Sequence, residues 1–325
     1  KYINLHILQL PQYTALFFNL NSNKLKDNNI RLALKYATDK ERIKKLLNNN
    51  IDLIDYPFIK GYLNNNANYY SQPSSTAILV KNWDKIEPEK YFELEYKRLF
   101  KDKETEIAKI QTDASSTPET ASSSIKKIED KIKDQIRQSM DSKQSYYLQD
   151  DSDKFLDLTI STFNTDEYKK VSQDIADMWK SIGIKTNVKL IDRQQIQEII
   201  KKRDYDILLY SELIGADPDP YPFWHSSQAK HPGLNLSNFN DSEADKLLIT
   251  GRQTNSSEDR QKTYQKFNVI LEEEIPAVFL YTTTHTMIIN KHLKGMELKK
   301  AESAPNRYSS INSWYLKTKR KIQWQ

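Results

Sequence analysis

The sequence predicts an α/β fold built around a β-α-β-α-β unit over residues 155–210. Three segments read as strands: "FLDLTISTF" (155–163) and "IKTNVKLI" (184–191) alternate in polarity, and "YDILLY" (205–210) is a compact apolar run. The two intervening segments carry the period of amphipathic helices. Strands that alternate with helices in this way form parallel sheets with right-handed crossovers.

The first of these helices has one clearly apolar face. It ends at Gly183, a residue suited to the left-handed conformation that closes many helices. We expect its apolar face to be buried against the sheet, and that face consists of Tyr168, Val171, Ile175, Trp179 and Ile182.

Further elements flank this unit on both sides. An apolar strand around Leu16–Phe18 precedes a helix that Asp27 caps, and a second helix follows with Thr38 or Asp39 as its cap. Two later helices lead to Pro276 and a strand over 277–281. Together these elements predict a mixed, mainly parallel sheet flanked by helices.

Residues 101–152 differ from the rest in composition. "TDASSTPETASSS" (112–124) reads as a low-complexity linker. Ile125, Ile128, Ile132, Ile136 and Met140 then recur at spacings of three and four, which predicts a narrow apolar stripe on a charged helix. We interpret this segment as a surface insertion, with a coiled-coil partner site as the alternative.

Composition excludes several classes of function. There are no cysteines, so thiolate metal sites and cysteine nucleophiles are excluded, and the six glycines are too scattered for a phosphate-binding loop. The net charge of +5 is dispersed, and "KTKRK" (317–321) is the one basic cluster, so no nucleic-acid partner is expected. No apolar run reaches the length of a membrane helix.

Prolines, aspartates and aromatic residues are concentrated in a dense stretch, "IGADPDPYPFWHSSQ" (214–228), which leaves the carboxyl end of the strand 205–210. Ligands of open α/β sheets bind just outside the carboxyl ends of strands. The two Asp-Pro pairs also suit a helix start, since aspartate caps a helix and proline fits its first turn. This stretch is therefore predicted to be a stiff helix start at the rim of a pocket.

At this level of detail the sequence resembles the family 5 extracellular solute-binding proteins, the receptors of ABC importers for peptides and related solutes. "YTALFFNLNSNKLKDNNIRLALKYATDKERI" is similar to the family's signature, and "ADMWKSIGIKTNVKLID" resembles its helix-Gly-Ile-strand element. "YDILLYSELIGADPDPYPFWHSSQ", "FNDSEADKLL" and "DRQKTYQKFNVILEEEIPAVFLY" follow in family order. The series covers nearly the whole chain outside the insertion.

The resemblance implies a type II periplasmic-binding-protein-like lobe and a C-terminal portion of the family's fold, with a first lobe before it. Residues 1–22 would be a strand crossing between lobes. Residues 23–282 would be the solute-binding lobe with the insertion 101–152, and residues 283–325 would pack on the other lobe. The resemblance further implies a peptide or related small solute, an ABC permease as partner, an extracytoplasmic location and a lipid-modified N-terminal anchor outside this sequence.

The resemblance also implies solute-contacting residues. Peptide-binding members often carry an aspartate three residues before the aspartate of the Asp-Pro turn, and Ile214 stands there instead. In those members the aspartate pairs with the amino group of the peptide. Glu212 is the one carboxylate in the preceding loop and would take the role of this aspartate. We expect it to point into an open cleft, with Trp224 as an apolar wall or, alternatively, as core. Tyr210 and Asp217 complete the candidate ligand-binding set, although Asp217 also suits a helix cap.

Other functions remain as alternatives. A cell-surface interaction module would keep the fold without transport, and the insertion and the missing aspartate favour it. His225 and His231 lie near two aspartates, but six residues is a poor helical spacing for metal ligands, so no metal and no cofactor is predicted. No catalytic constellation is evident, so no enzyme activity is predicted, and a hydrolase on an α/β scaffold is the weakest alternative.

Overall fold

The computed structural model describes residues 3–58, 62–63, 70–112, 117–140, 146–148, 156–215, 217, 219–296, 308 and 310–316. The strands within these residues are β1 (Ile3–Gln9), β2 (Gln12–Phe18), β3 (Ile51–Leu53), β4 (Asp84–Ile86), β5 (Tyr146–Leu148), β6 (Asp157–Phe163), β7 (Lys185–Ile191), β8 (Ile207–Leu213), β9 (Ala277–Asn290), β10 (Leu293–Lys294) and β11 (Tyr315–Leu316).

The helices lie mainly between these strands. They are α1 (Asn28–Ala37), α2 (Lys40–Leu46), α3 (Gln72–Asn82), α4 (Pro88–Asp102), α5 (Glu104–Thr112), α6 (Pro118–Ser139), α7 (Asp166–Ser181), α8 (Arg193–Lys202), α9 (Tyr221–Trp224), α10 (Ser242–Gln253) and α11 (Ser257–Glu274). Asp27 caps α1 and Asp39 caps α2, each accepting a hydrogen bond from a backbone N–H of the first turn, as the sequence predicts.

A seven-stranded mixed sheet organises the described part of the chain. Its order is β1-β9-β2-β8-β6-β7, and β3 pairs with β9. The predicted β-α-β-α-β unit is confirmed, because β6 runs parallel to both β7 and β8. The expected majority of parallel pairs is wrong: β1/β9, β2/β8, β2/β9 and β3/β9 are all antiparallel. Two of these pairs arise because β2 inserts between β8 and β9 and runs against both, and the other two arise because β1 and β3 run against β9.

Both faces of the sheet are covered. Helices α1, α2, α3 and α7 pack on one face, and α8, α9, α10 and α11 pack on the other. Trp179 of α7 is fully buried, as predicted, and its indole Nε1 donates to the hydroxyl of Thr38 at 3.0 Å. Val171, Ile175 and Ile182 are buried as well. Tyr168 is only half-buried, because it lies in the first turn of α7 at the open edge of the sheet.

A separate helical unit lies beyond the edge strand β7. It consists of α4, α5 and α6, enclosed by the short antiparallel pair β4/β5, so it begins at Asp84 rather than at residue 101. Ile132 and Ile136 of α6 pack against Tyr91 and Leu94 of α4 in a core of their own. The predicted apolar stripe is therefore used within the unit.

The predicted linker over 112–124 is wrong in its second half. Helix α6 already begins at Pro118, and the Thr117 hydroxyl accepts a hydrogen bond from the Thr120 N–H at 3.3 Å. Thr-Pro-Glu supplies a capping hydroxyl, a proline that is preorganised for the first turn and an acid near the positive helix end. These local signals outweigh the low complexity of the segment.

An ion-pair network joins the helical unit to the sheet. The buried Glu95 of α4 accepts from Lys185 Nζ of β7 at 2.6 Å and from Arg98 Nη2 at 2.7 Å. Burial opposes the ionisation of Glu95, but the hydrogen bonds from Arg98 and Lys185 outweigh it and lower the pKa of the carboxyl. The unit is thus fixed to β7 by a charged contact as well as by β4/β5.

Gly251 provides a test of the packing between α10 and α11. A Cβ at this position would meet Cε1 of the buried Tyr264 at 2.2 Å. Gly251→Ala should therefore lower the free energy of unfolding by about 1–3 kcal/mol, against the gain of about 1 kcal/mol that alanine gives in an open helix position.

Thermal unfolding of the variant measures this effect. Thr250→Ala on the exposed side of the same helix is the control and should change stability by about 0.5 kcal/mol or less. A Gly251→Ala protein that unfolds at a higher temperature than the wild type would contradict the packing described here.

Candidate functional site

The candidate site lies at the carboxyl edge of the parallel strands. Strands β6, β7 and β8 end at Phe163, Ile191 and Leu213. Strand β8 ends three residues later than predicted, because it pairs with β2 as far as Gln12 opposite Leu213. The rim of the site therefore begins at Ile214, whose N–H donates to the carbonyl of Pro11 at 2.8 Å.

Glu212 faces the protein interior. It lies directly opposite Tyr13 in the antiparallel register, and its side chain is 5% exposed. Because side chains alternate along a strand, Glu212 shares the core-facing side of β8 with Leu208. The expectation that Glu212 points into an open cleft is wrong for this reason.

One hydroxyl is the hydrogen-bond partner of this carboxyl within the described residues. The Tyr13 hydroxyl donates a short hydrogen bond to Oε2, while Oε1 is buried without a partner among the residues that the structure describes. Burial raises the pKa of Glu212 well above its ordinary value, and the Tyr13 hydrogen bond and the Arg203 charge only partly oppose this. Burial and the neighbouring Glu212 also raise the pKa of Tyr13.

Trp224 is part of the aromatic cluster that covers this pair. It is 1% exposed, and its ring centroid lies 6.1 Å from that of Phe17 and 5.6 Å from that of Phe279. Tyr13 contacts Phe279 edge-on, with centroids 5.6 Å apart. The burial of Trp224 agrees with its alternative interpretation as core, and it does not form an exposed wall.

Tyr210 and Ile214 remain accessible at the rim. Both are half-buried, and the Tyr210 ring stacks on Phe163 at the end of the neighbouring strand, with centroids 5.4 Å apart and planes at 28°. Next to them Leu213 is 72% exposed. These residues give the carboxyl edge an apolar, partly aromatic surface.

A chain of hydroxyl groups lies on the opposite side of the same edge. The Tyr168 hydroxyl donates to Ser211 Oγ at 2.7 Å, and Thr14 Oγ1 lies 2.6 Å from the same oxygen. Nearby, the Tyr281 hydroxyl donates to Glu167 Oε1 at 2.8 Å. Tyr168 and Ser211 are half-buried and can exchange hydrogen bonds with a polar ligand at the rim, whereas Thr14 and Tyr281 are buried behind them.

The two aspartates of the dense stretch hold arginines. Asp217 is exposed and pairs with Arg260 at 3.1 Å, so the capping role expected for it is not seen. Asp219 pairs with Arg252 at 2.6 Å and accepts from the N–H of Tyr221 at 3.1 Å, next to the start of α9. The predicted short helix after the Asp-Pro pairs is confirmed.

His225 has a structural environment. Its Nδ1 accepts from the Ser227 N–H at 3.1 Å, and its ring stacks on Tyr221 with centroids 4.2 Å apart. Among the residues that the structure places, no three histidine, aspartate or glutamate side chains form a group suited to a metal ion.

Sequence reasoning missed Tyr13 and Phe163 as members of this region. The alternation of "QYTALFF" does place Tyr13 on the same face as Ala15 and Phe17. Its position opposite Glu212 depends on strand pairing across 199 residues, which no local pattern contains.

Comparison with known proteins relates this fold to a family. A model of the family described as "Bacterial extracellular solute-binding proteins, family 5 Middle" matches residues 5–233. The chain belongs to this family. The predicted resemblance is thereby confirmed. The family consists of non-enzymatic, extracytoplasmic binding proteins, and no helix within the described ranges is long and apolar enough to cross a membrane.

Curated relatives match part of the chain. Oligopeptide-binding protein AppA of Bacillus subtilis is 27% identical over 161 residues, which cover 48% of this chain and 29% of AppA. The periplasmic murein peptide-binding protein MppA of Escherichia coli is 29% identical over 153 residues, which cover 46% of this chain and 28% of MppA. The aligned regions thus span under a third of these relatives.

Solved structures show the same fold. NikZ from Campylobacter jejuni, in complex with Ni(L-His), has a TM-score of 0.65 at 20% identity and covers 97% of this chain. AppA from B. subtilis, in complex with a nonapeptide, has a TM-score of 0.64 at 18% identity and covers 98%. This chain spans 54% and 53% of those two structures. The fold is a lobe of a type II periplasmic binding protein, as the sequence predicted.

The Glu212 carboxyl makes a pH-dependent contribution to stability. Its pKa is raised in the folded chain, so the folded state holds the proton at pH values where the unfolded state has lost it. Stability therefore falls as pH rises from the ordinary carboxyl pKa near 4.5 toward the raised folded-state value. Glu212→Gln keeps an acceptor for Tyr13 and removes the titration.

We expect Glu212→Gln to gain stability relative to the wild type by about 1 kcal/mol or more between pH 5 and pH 8. Chemical denaturation at a series of pH values measures the difference. Glu198→Gln on the exposed face of α8 is the matched control and should follow the wild type. A constant difference between Glu212→Gln and the wild type across this range would contradict a buried neutral acid.

Proposed function

We propose that this chain is the second lobe of an extracytoplasmic solute-binding receptor for an ABC importer, which captures a peptide or a related small solute between two lobes. Membership of the family over residues 5–233 carries this proposal. The relatives support it: AppA and MppA are described as binding peptides, and the NikZ structure holds Ni(L-His).

The carboxyl edge of the sheet is the proposed solute face. Tyr210 and Ile214 are the members of the candidate set that are accessible there, and Phe163 extends the same surface. Asp217 is exposed at the rim but holds Arg260. Glu212 and Trp224 lie behind this surface, so they would support the rim from within.

The proposed division of the chain needs one adjustment at β2. Residues 23–282 would supply the lobe together with β2, which lies in the middle of its sheet, while the rest of residues 1–22 and residues 283–325 would connect it to a first lobe of the kind that longer family members carry. Strand β9 runs through this boundary to Asn290 and pairs with β1 along a ribbon. Ile3, Leu5 and Ile288 are exposed on one side of that ribbon, which suits packing on another lobe.

The receptor would also have a permease partner, an extracytoplasmic location and a membrane anchor. Closure of two lobes around the solute would present the receptor to an ABC permease. We propose a periplasmic location, or the outer face of the cytoplasmic membrane, with a lipid anchor as in a lipoprotein. These statements rest on the family.

A binding screen with the full-length gene product tests the proposal. The probes are a nonapeptide, the tetrapeptide Ser-Thr-Ser-Ala and Ni(L-His), each of which is bound in the solved structure of a related protein. At least one should raise the melting temperature and give a saturable titration by calorimetry. Absence of binding to every probe of these classes would count against a receptor for such solutes.

Tyr210→Ala should raise the Kd of the bound probe about tenfold, because it removes an aromatic contact surface that contributes about 1–1.5 kcal/mol. Tyr96→Ala is a matched control, since Tyr96 is also half-buried and stacks on Phe100 with centroids 5.8 Å apart in the helical unit. Equal affinities of Tyr210→Ala and Tyr96→Ala for the probe would show that Tyr210 does not contact the solute.

The helical unit favours a second candidate, a cell-surface interaction module. The unit can be removed with a short connection, because Lys85 of β4 pairs directly with Tyr147 of β5. Lys185 then loses Glu95 and keeps Asp157 as a charge partner at 3.5 Å. Replacing residues 86–146 by Asn-Gly joins the two strands with a two-residue hairpin turn.

For a receptor, this deletion should leave the Kd of the probe within about twofold of the wild type. Titration calorimetry of the deletion protein measures the change. A deletion protein and a wild type that both fail to bind any probe, while only the wild type attaches to cells, would favour the interaction module.

A further inference from the structure

We propose that Glu212 is a positioning residue that acts as a neutral acid, so that the rim of the solute face is packed when Glu212 carries its proton and loosens when Glu212 ionises. The geometry that points to this is a buried carboxyl that has one hydroxyl partner among the described residues, at the end of the strand that carries the rim. The effect on solute affinity rests on the proposed function, while the packing of the rim does not.

The surroundings of Glu212 disfavour its ionised form. Among the residues that the structure describes, the titratable or charged groups near it are Tyr13 on β2, Tyr210 on β8, Tyr205 before β8, and Arg203 at the end of α8. Three of these are neutral tyrosines. Arg203 donates instead to the backbone carbonyls of residues 200, 229 and 233, at 2.7, 3.1 and 2.8 Å.

A carboxylate in this place would lack the partners that buried charges require. Oε1 has no hydrogen-bond partner among the described residues. Burying an ionised carboxylate without a charge partner is costly, so a group in such a place keeps its proton or gains access to water. Ionisation of Glu212 therefore favours opening of the cluster.

Opening of the cluster would reach the solute face through the backbone. Tyr210 lies two residues before Glu212 on the same side of β8, and Ile214 lies two residues after it. The rim is held to the start of β2 by the hydrogen bond from the Ile214 N–H to the carbonyl of Pro11. Water that enters to solvate Oε1 needs space within the packed cluster, while Tyr13 can keep its hydrogen bond to Oε2. Opening of that space loosens the pairing of β2 with β8 at its last residues.

Hydrogen exchange at the Ile214 N–H tests the proposal in the full-length gene product. The quantity is the ratio of its exchange rate in the wild type to that in Glu212→Gln at each pH, which cancels the intrinsic pH dependence of exchange. The ratio should be near one at pH 5 and should rise about tenfold or more by pH 8, since each pKa unit corresponds to a factor of ten. Glu198→Gln, in place of Glu212→Gln, should show no such rise.

A ratio that stays constant with pH would overturn the proposal. If Glu212→Gln does not fold, infrared spectroscopy of the wild type decides instead. A protonated carboxylic acid band that persists in the folded protein above pH 6 supports the proposal, and its absence overturns it.

Solute binding provides a separate readout. The affinity of the probe that binds in the screen should fall between pH 5 and pH 8 in the wild type and stay constant in Glu212→Gln. A pH-dependent exchange ratio with no probe bound would retain the positioning role and reject the proposed solutes. Binding that is independent of pH in both proteins would overturn the coupling of Glu212 to the solute face.

Discussion

The antiparallel pairing of β2 with β8 is the constraint on which this structure depends. Strand β2 joins the parallel unit β7-β6-β8 to the long strand β9, and so connects the two halves of the sheet. The strand is buried along most of its length, with alternate residues contributing to the two cores on either face. Because its partners are distant in sequence, this pairing forms at a high entropic cost and is stabilised by the burial of both faces.

The same pairing defines the candidate site. It extends β8 to Leu213, sets the start of the rim at Ile214 and places Tyr13 opposite Glu212. A shift of one residue would turn Glu212 toward the other face of the sheet. The chemistry of the rim is therefore a consequence of register.

This explains which features the sequence predicts well. The period of the apolar residues identifies β6, α7, β7, α8 and β8, and it places Trp179 in the core, because burial against a sheet is recorded locally in that period. The topological rule for ligand sites then points to the segment after β8. The direction of β2, the length of β8 and the orientation of Glu212 depend on contacts between distant segments. For this reason we expected Glu212 in an open cleft, whereas the structure places it in an aromatic core.

In the helical unit most features follow from local sequence, and few depend on contacts between distant segments. Its elements are local, and even the helix start at Thr117-Pro118 can be predicted from capping rules when composition is given less weight. What the sequence does not indicate is how the unit meets the sheet, since Glu95 and Lys185 lie 90 residues apart. The period of a segment predicts what it buries, whereas its partner must be known from the structure.

A buried acid beside a proposed binding face is unusual on grounds of stability. A glutamine or an apolar residue at position 212 would avoid the cost of burying a carboxyl with a single partner. Proteins tend to depart from such rules of stability at functional sites, where a strained or poorly satisfied group contributes to activity. Glu212 satisfies both parts of this description, because it is poorly partnered and lies directly behind the residues that form the rim. The cost in stability at this position is thus an argument that the carboxyl has a role at the rim.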